Sequence, residues 1–251
     1  MGSTREQIIT TLVRGLQSDP HAHAMWLEGA DAEGRVDAYS DLDIWLDVDD
    51  GAAEAVFAAA RALLLGLGPL DYEHQLRHPH PQIHHTVYHL QGTPETLILD
   101  LCLQDHSRAP SLFAGFGEIA ILFDKDGAAT PHPADWEAFR RETSQRAEEL
   151  YAEFPLAPIR VRKELARGNF LEALNYYQGR MLAPLVELLR FRYRPVTYDF
   201  GLKHIAHDVP ADVCARLEYL YSVSSRQDIA TRCPEAEAWF WETAEAVRGA
   251  R

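Results

Sequence analysis

Two aspartates, Asp41 and Asp43, stand two positions apart in a segment that alternates between polar and apolar residues. The alternation over residues 41–48 predicts a β-strand, in which residues i and i+2 project from the same face. Their Cα atoms would lie about 6–7 Å apart, from the rise of an extended strand. Like charges held this close favour a cation between them, so the pair is a candidate site for a divalent metal. An Asp-x-Asp pair alone is a weak signal, because exposed strand ends and turns often carry one.

A third carboxylate, Asp100, is the only charged residue in the apolar run over residues 97–103. A continuous apolar run of this length is typical of a central strand. Burying an unpaired carboxylate there would cost several kcal/mol. Asp100 therefore either reaches solvent from its strand or joins Asp41 and Asp43 at one metal site.

The elements that position these acids mix helix and strand. Residues 3–17 predict an amphipathic helix that opens with a capping box between Ser3 and Glu6. A second helix is predicted at 52–67, and further strands are predicted at 24–27, 85–90, 96–103 and 119–123. Gly29 follows the first of these strands and predicts a turn.

From about residue 130 onward the periodicity is helical throughout. It predicts helices at 134–154, 159–194 with a break near Gly168, 210–221 and 234–247, the last two beginning at prolines. We therefore expect an α+β protein with two domains. Residues 1–130 would form a small mixed sheet flanked by helices, and residues 131–251 an all-α helical bundle.

The composition excludes several classes of protein. A formal charge of −14, from 38 acidic and 24 basic residues, disfavours nucleic-acid binding, which needs Lys and Arg against phosphates. The same charge suits a cationic small substrate, although it also serves solubility alone. No apolar run approaches the ~20 residues of a membrane span. Three cysteines without metal-ligand spacing and an N-terminus without secretory features predict a cytoplasmic protein.

These residues together resemble the polymerase-β-like nucleotidyltransferase superfamily. Gly29-Ala30, ten intervening residues and then Asp41-Leu-Asp43 match its signature of a glycine pair or Gly-Ser followed by Asp-x-Asp. A later lone acid on an apolar strand, here Asp100, belongs to the same signature. The order of a small mixed-sheet domain and a helical domain is most similar to the aminoglycoside branch, which includes kanamycin, streptomycin and lincosamide nucleotidyltransferases.

The resemblance implies an antibiotic-resistance enzyme that transfers AMP from ATP, or another nucleoside monophosphate from its triphosphate, to a hydroxyl of a small cationic acceptor. Asp41 and Asp43 would hold the Mg²⁺ that bridges the triphosphate, and Asp100 would complete a second Mg²⁺ site. Gly29, Ala30 and Ser40 would contact the nucleotide. Enzymes of this family use a basic residue of the helical domain against the triphosphate, in a cleft between the domains. Lys163 and Lys203 are the candidates, although a solvated helix face is the simpler explanation of either lysine.

One residue departs from the family pattern. Ala30 stands where the family commonly has a serine whose hydroxyl reaches a phosphate, so one hydrogen-bond donor is missing. Weaker nucleotide affinity follows, or in the extreme a degenerate nucleotide-binding module. A further alternative is adenylylation of a protein hydroxyl, as in antitoxin-type members of the superfamily.

Other chemistry-bearing residues are open to simpler interpretations. Six histidines occur between residues 74 and 89, but their spacing is irregular and prolines interrupt it, so a polar loop before a strand is favoured over a zinc site. His85 and His89 could face the active surface of the sheet. The general base for the acceptor hydroxyl would be Asp100, or Glu153, Glu164 or Glu172 of the helical half.

Overall fold

A computed structural model describes residues 3–108 and 112–249 of the chain. The backbone divides into two units, Met1–Ala134 and Asp135–Arg251. The first unit contains one six-stranded sheet with helices, and the second is helical within its described residues. The predicted α+β fold class is therefore confirmed.

The sheet of the first unit has the strand order β3-β4-β5-β2-β1-β6. Its strands are β1 (Ala22–Leu27), β2 (Leu42–Val48), β3 (Leu70–Leu76), β4 (Ile83–Leu90), β5 (Leu99–Asp105) and β6 (Ala120–Asp124). Its helices are α1 (Arg5–Leu16), α2 (Gly29–Ala32) and α3 (Ala53–Leu67). The central strands β2 and β5 run parallel, whereas the other pairings are antiparallel. The sheet is therefore mixed, as predicted.

One face of this sheet packs on α1 and α3. Leu42, Ile44 and Leu46 alternate along β2, and each is fully buried in the core that these helices cover. Because side chains alternate across a strand, the intervening residues of β2 must project from the opposite face. That opposite face carries Asp43 and the polar residues discussed below.

Three details of the first unit differ from the sequence-based expectations. The capping box of α1 uses Thr4 and Gln7, one residue later than Ser3 and Glu6. The residues after Gly29 form a single helical turn, α2, rather than a loop. Residues 70–76 form the edge strand β3, which was not predicted because its residues are almost all exposed and show no apolar alternation.

The second unit consists of helices around a separate core that includes Leu150, Val161 and Phe240. These helices are α4 (Trp136–Glu153), α5 (Leu156–Arg167), α6 (Phe170–Tyr176), α7 (Ala183–Tyr193), α8 (Ile205–Asp208), α9 (Ala211–Tyr221) and α10 (Arg226–Gly249). The predicted break near Gly168 is present, because Gly168 ends α5 in a left-handed conformation with φ of 80°. A π-helical segment, Tyr177–Leu182, joins α6 to α7.

The last helix begins earlier than predicted. Pro234 lies inside α10 rather than at its first position. An interior proline removes one backbone hydrogen bond and disfavours a helix. Here Ile229 and Cys233 before the proline and Ala236 after it are all buried in the same core. Burial on both sides therefore outweighs the local penalty.

A buried arginine fixes the irregular segment between α7 and α9. Arg190 is completely buried. Its guanidinium donates to Thr197 Oγ1 at 2.8 Å, to Asp208 Oδ2 at 2.5 Å and to the carbonyls of Gly201 and Lys203. Partners on several sides compensate for the loss of hydration that burying a charge entails.

Among the described helices, none has the length and apolar character that a membrane crossing requires.

Candidate active site

Asp43 and Asp100 are direct neighbours on the two parallel central strands. Asp43 of β2 is the Cα partner of Asp100 of β5. Partners on adjacent strands lie about 4.8 Å apart and project from the same face of the sheet. Both residues are only partly buried, so water and ions can reach their carboxylates. Two negative charges at this separation are compatible when a cation or proton lies between them.

A histidine on the next strand orients Asp100. His85 lies on β4, and its Nε2 is 2.6 Å from Asp100 Oδ1. Both side chains are partly shielded, with 19% of His85 and 27% of Asp100 exposed. An N–H donated by His85 would occupy one carboxylate oxygen and leave Oδ2 for another partner. His85 therefore lies on the same face of the sheet as the acids.

The turn at Gly29 approaches Asp43 closely. Gly29 has φ of 62°, and a Cβ atom built on it would lie 2.5 Å from Asp43 Oδ2. The backbone N–H of Glu28 also donates to the Asp43 carbonyl at 3.1 Å. A side chain at position 29 would therefore be both strained and in collision with the carboxylate. Glycine allows the backbone of the turn to lie directly beside Asp43.

Arg5 connects the Gly29 turn to the segment that contains Asp41. Its guanidinium is 2.5 Å from Asp31 Oδ2 on α2, and it donates to the carbonyls of Asp41, at 3.0 Å, and Ser40. Burial raises the pKa of Asp31 above its ordinary value, although the charge of Arg5 opposes that shift. Sequence reasoning did not identify Arg5, because no motif marks an arginine in the first turn of an amphipathic helix.

Ser40 and Asp41 occupy the turn just before β2. The Ser40 hydroxyl donates to Asp37 Oδ1 and accepts from the Asp37 backbone N–H, both at 2.9 Å. The backbone N–H of Tyr39 and the Ser40 hydroxyl lower the pKa of Asp37. Asp41 is exposed and immediately precedes β2. The Ser40 hydroxyl thus shapes the turn that presents Asp41.

The field of these acids also acts on Cys102. Burial, together with the negative charges of Asp100, Glu28 and Asp43, raises the pKa of the Cys102 thiol to about 12. A thiol with this pKa stays protonated near neutral pH and is a poor nucleophile. Cys102 is therefore not a candidate nucleophile beside these acids.

The donor set fits a hard divalent cation. Asp43 and Asp100 supply carboxylate oxygens from adjacent strands, and oxygen ligands are those that Mg²⁺ prefers. Within the described part of the chain, Asp41, Asp43 and Asp100 do not form a three-residue cluster. Their carboxylates do not offer three oxygens, one from each residue, that all lie within 4.8 Å of one another. The structure thus brings Asp43 and Asp100 together by strand register, whereas Asp41 is exposed immediately before β2 and does not join them in one cluster.

The helical unit places its candidate residues differently. Lys163 and Lys203 are both exposed. Buried Glu164 binds Arg167 and Asn169 through its two oxygens, which indicates a structural role rather than a general base.

A cavity of about 480 Å³ lies within the helical unit. Its charged lining residues are Arg146, Glu153, Arg160, Arg180, Glu187 and Asp199.

Comparison with known proteins places the whole chain in one family. Residues 3–250 match the family model described as streptomycin adenylyltransferase. No curated protein sequence matches the chain significantly. The family match includes the Gly29 turn and all three acids.

Solved structures that resemble the chain share little sequence with it. An aminoglycoside 6-adenyltransferase from Bacillus subtilis is 17% identical, covers 98% of this chain and 90% of its own, and gives a TM-score of 0.43. A nucleotidyltransferase-like protein from Exiguobacterium sibiricum is 15% identical, with coverages of 97% and 78% and a TM-score of 0.36. A spectinomycin adenyltransferase from Enterococcus faecialis, solved with ATP and spectinomycin, is 12% identical, with coverages of 98% and 100% and a TM-score of 0.35. The family model spans nearly the whole sequence, and this protein therefore belongs to the streptomycin adenylyltransferase family and is a nucleotidyltransferase.

Proposed function

We propose that this enzyme transfers AMP from ATP to a hydroxyl of a small cationic acceptor of the aminoglycoside type and releases pyrophosphate. The observation that carries the proposal is the register pairing of Asp43 with Asp100, beside a glycine turn that touches the Asp43 carboxylate. The family match supports adenylyl transfer. The net charge of −14 supports a cationic acceptor.

Asp41, Asp43 and Asp100 would hold two Mg²⁺ ions with the triphosphate. When bound, Mg²⁺ supplies charge neutralisation for the attacking oxygen and the leaving pyrophosphate. Asp41 is exposed and lies two residues before Asp43, immediately before β2. The Gly29 turn and Ala30 bring backbone close to this point, and backbone N–H groups there would contact the phosphates.

The reaction is an in-line displacement at the α-phosphorus. The acceptor oxygen forms a bond to this phosphorus as the bond to the bridging oxygen of pyrophosphate breaks. The hydroxyl proton passes to Asp100, whose Oδ1 contacts His85 and whose Oδ2 would accept the proton. The chain contributes mainly by holding carboxylates and backbone in place before the reaction.

A direct assay tests this function. The purified protein is incubated with ATP, Mg²⁺ and a panel of aminoglycosides, and pyrophosphate release is measured together with the mass of the modified drug. We expect one AMP unit on the drug and loss of the activity on chelation. A labelled protein band from lysate with labelled ATP, without drug modification, would contradict the small-molecule acceptor.

The two aspartates of β5 give a matched pair of variants. Asp100→Asn should abolish adenylyl transfer, because the neutral amide neither binds the cation strongly nor accepts the proton. Asp105→Asn changes the same side chain at the other end of the same strand, where Asp105 also contacts a histidine, His84. It should retain the activity. Equal activity of both variants would show that the acids do not form the site.

A further inference from the structure

A second group of histidines and acids lies at the opposite end of the same strands. Asp47 lies near the end of β2, His106 follows β5, His23 lies on β1 and Asp126 follows β6. Four residues of extended chain separate Asp43 from Asp47, a distance of about 13 Å. The group is therefore too far from Asp43 and Asp100 to share an ion with them.

The side chains of His23, His106 and Asp126 converge. His23 Nδ1 is 2.6 Å from Asp126 Oδ2, and the rings of His23 and His106 stack with their centroids 4.0 Å apart. One ligand atom from each of the three residues lies within 4.8 Å of the other two. In the described part of the chain, this is the one group of three or more His, Cys, Asp or Glu residues that meets this distance.

Buried and partly buried carboxylates orient both imidazoles. Asp47 has 4% of its side chain exposed. Its Oδ1 lies 2.5 Å from His106 Nδ1, and its Oδ2 accepts a hydrogen bond from Gln104 Nε2 at 2.7 Å. Asp49 Oδ1 lies 2.8 Å from His23 Nε2. For His106 the contact with Asp47 fixes Nε2 as the lone-pair donor, the arrangement usual for metal-binding histidines. Both ring nitrogens of His23 contact carboxylates, so metal binding there would displace the proton between Nδ1 and Asp126.

We propose that His23, His106 and Asp126 bind a transition-metal ion of the Zn²⁺ type, at a site separate from the catalytic acids. His106 would coordinate through Nε2 and His23 through Nδ1, with Asp47 and Asp49 on the other ring nitrogens. Because an imidazole binds a metal in its own ring plane, the two rings, stacked at an interplanar angle of 21°, would tilt apart to bring both lone pairs to one ion. Two imidazoles and one carboxylate suit Zn²⁺, whereas Mg²⁺ prefers oxygen ligands throughout. Three protein ligands leave a fourth position for water.

The charges at this site also favour a dication. Asp47, Asp49 and Asp126 place three carboxylates around two imidazoles. A bound Zn²⁺ would offset this negative charge and would join β1, the end of β5 and the turn after β6. These three chain segments are distant in sequence, so the metal would cross-link them at one end of the strands.

Zinc binding can be measured on the full chain by isothermal titration calorimetry with saturating Mg²⁺ present. The measurements use an Asp43→Asn background so that the catalytic acids do not contribute. We expect one Zn²⁺ per chain, and His106→Ala or Asp126→Asn should weaken binding at least tenfold. Asp47 would not contact the metal itself. Asp47→Asn should nevertheless weaken zinc binding by about 10–100-fold, because His106 would lose the carboxylate that orients its ring.

Two controls separate this site from other histidines. His78 and His80 line a shallow cavity in the histidine-rich segment, so the double variant H78A/H80A should keep the zinc affinity. His89→Ala removes a histidine that is also paired with an aspartate, Asp71, and should have no effect. Histidine side-chain NMR should show zinc-dependent shifts for His23 and His106. The proposal is wrong if Zn²⁺ does not bind, or if the His106 and Asp126 variants, shown to be folded by circular dichroism, bind it like the parent protein.

Discussion

At the scale of single residues, Gly29 combines a left-handed backbone with a close approach to the Asp43 carboxylate. Gly29→Ala should lower the free energy of unfolding by about 1–2 kcal/mol through its left-handed backbone and should also displace the Asp43 carboxylate. Gly34 is the matched control, because its φ of 67° imposes similar strain but no atom lies within 4 Å of the added Cβ. Urea unfolding should show similar losses for Gly29→Ala and Gly34→Ala, whereas only Gly29→Ala should lose adenylyl transfer. Loss of activity in both would attribute the effect to the backbone alone.

His85 is a positioning residue for Asp100. Removal of its ring in His85→Ala should reduce kcat by about tenfold or more, as loss of a group that orients a ligand usually does. The KM for ATP should change little, because His85 contacts the carboxylate and not the nucleotide. His85→Gln keeps an N–H donor and should recover part of the rate. Steady-state kinetics of the two variants check this, and a change confined to KM would contradict it.

Ala30 has no hydroxyl, whereas the nucleotidyltransferase pattern that the sequence resembles commonly places a serine at this position. A serine at this position should bind a phosphate and stabilise the complex by about 0.5–1.5 kcal/mol. We therefore expect Ala30→Ser to lower the dissociation constant of ATP by roughly two- to tenfold. Calorimetry of ATP and Mg²⁺ with both proteins measures the difference. An unchanged affinity would mean that the missing hydroxyl does not limit nucleotide binding.

At the scale of elements, the start of α10 provides a titratable cap. Asp228 accepts from the backbone N–H of Ser224 at 2.9 Å and from its hydroxyl at 3.0 Å, and the Asp228 N–H donates to Ser225 Oγ at 3.1 Å. The backbone hydrogen bond from Ser224 and the serine hydroxyls lower the pKa of Asp228 to about 2. Because this pKa is depressed, the cap stabilises the fold above the ordinary pKa of about 4, and its contribution fades as pH falls through about 2.

NMR titration of the Asp228 carboxyl tests this cap. The midpoint should lie near 2 in the parent protein. In Ser224→Ala it should rise toward the ordinary value, because one donor to the carboxylate is lost. Asp37, whose pKa is lowered by the Tyr39 backbone N–H and the Ser40 hydroxyl, provides a control whose midpoint should not respond to this substitution. A midpoint for Asp228 that is equal in the two proteins would show that Ser224 does not stabilise the ionised form.

How far the sequence predicts these elements depends on whether a local pattern is strong. The alternation in β2 and the apolar run of β5 are local, so both central strands could be identified. Edge strand β3 carries polar residues on both faces and gives no periodic signal. The prediction began α10 too late, at Pro234, because the buried contacts that keep this helix continuous come from other helices. Boundaries set by tertiary packing are outside the reach of a single-sequence pattern.

The candidate site shows the same division. Asp43 and Asp100 could be chosen from residue type and from the patterns of their own strands. Their pairing in one register, the contact of Gly29 with Asp43 and the bond from His85 to Asp100 depend on the order of strands in the sheet. Arg5 joins residues 31, 40 and 41 from a helix far away in sequence. Such contacts follow from the fold and carry no motif.

At the scale of the whole molecule, the net charge should affect the two substrates in opposite directions. A charge of −14 attracts a cationic acceptor and repels anionic nucleotide at low ionic strength. Salt screens both effects over about 10 Å or less. The KM for the acceptor should therefore rise with added NaCl, while the KM for ATP with Mg²⁺ should stay constant or fall. Steady-state kinetics over a salt series measure both constants, and a parallel rise would point to a non-specific effect of salt.

The register of β2 on β5 has a consequence for folding as well as for chemistry. Leu42, Asp43 and Ile44 lie beside Leu99, Asp100 and Leu101, with the leucines and isoleucine inside and the aspartates outside. A strand that paired one residue out of step would turn its aspartate into the apolar core. Burying that carboxylate costs several kcal/mol. Asp43 and Asp100 thus disfavour a shifted register of β2 on β5. A variant that replaces both with leucine would lose this penalty against misfolding, together with the carboxylates of the candidate site.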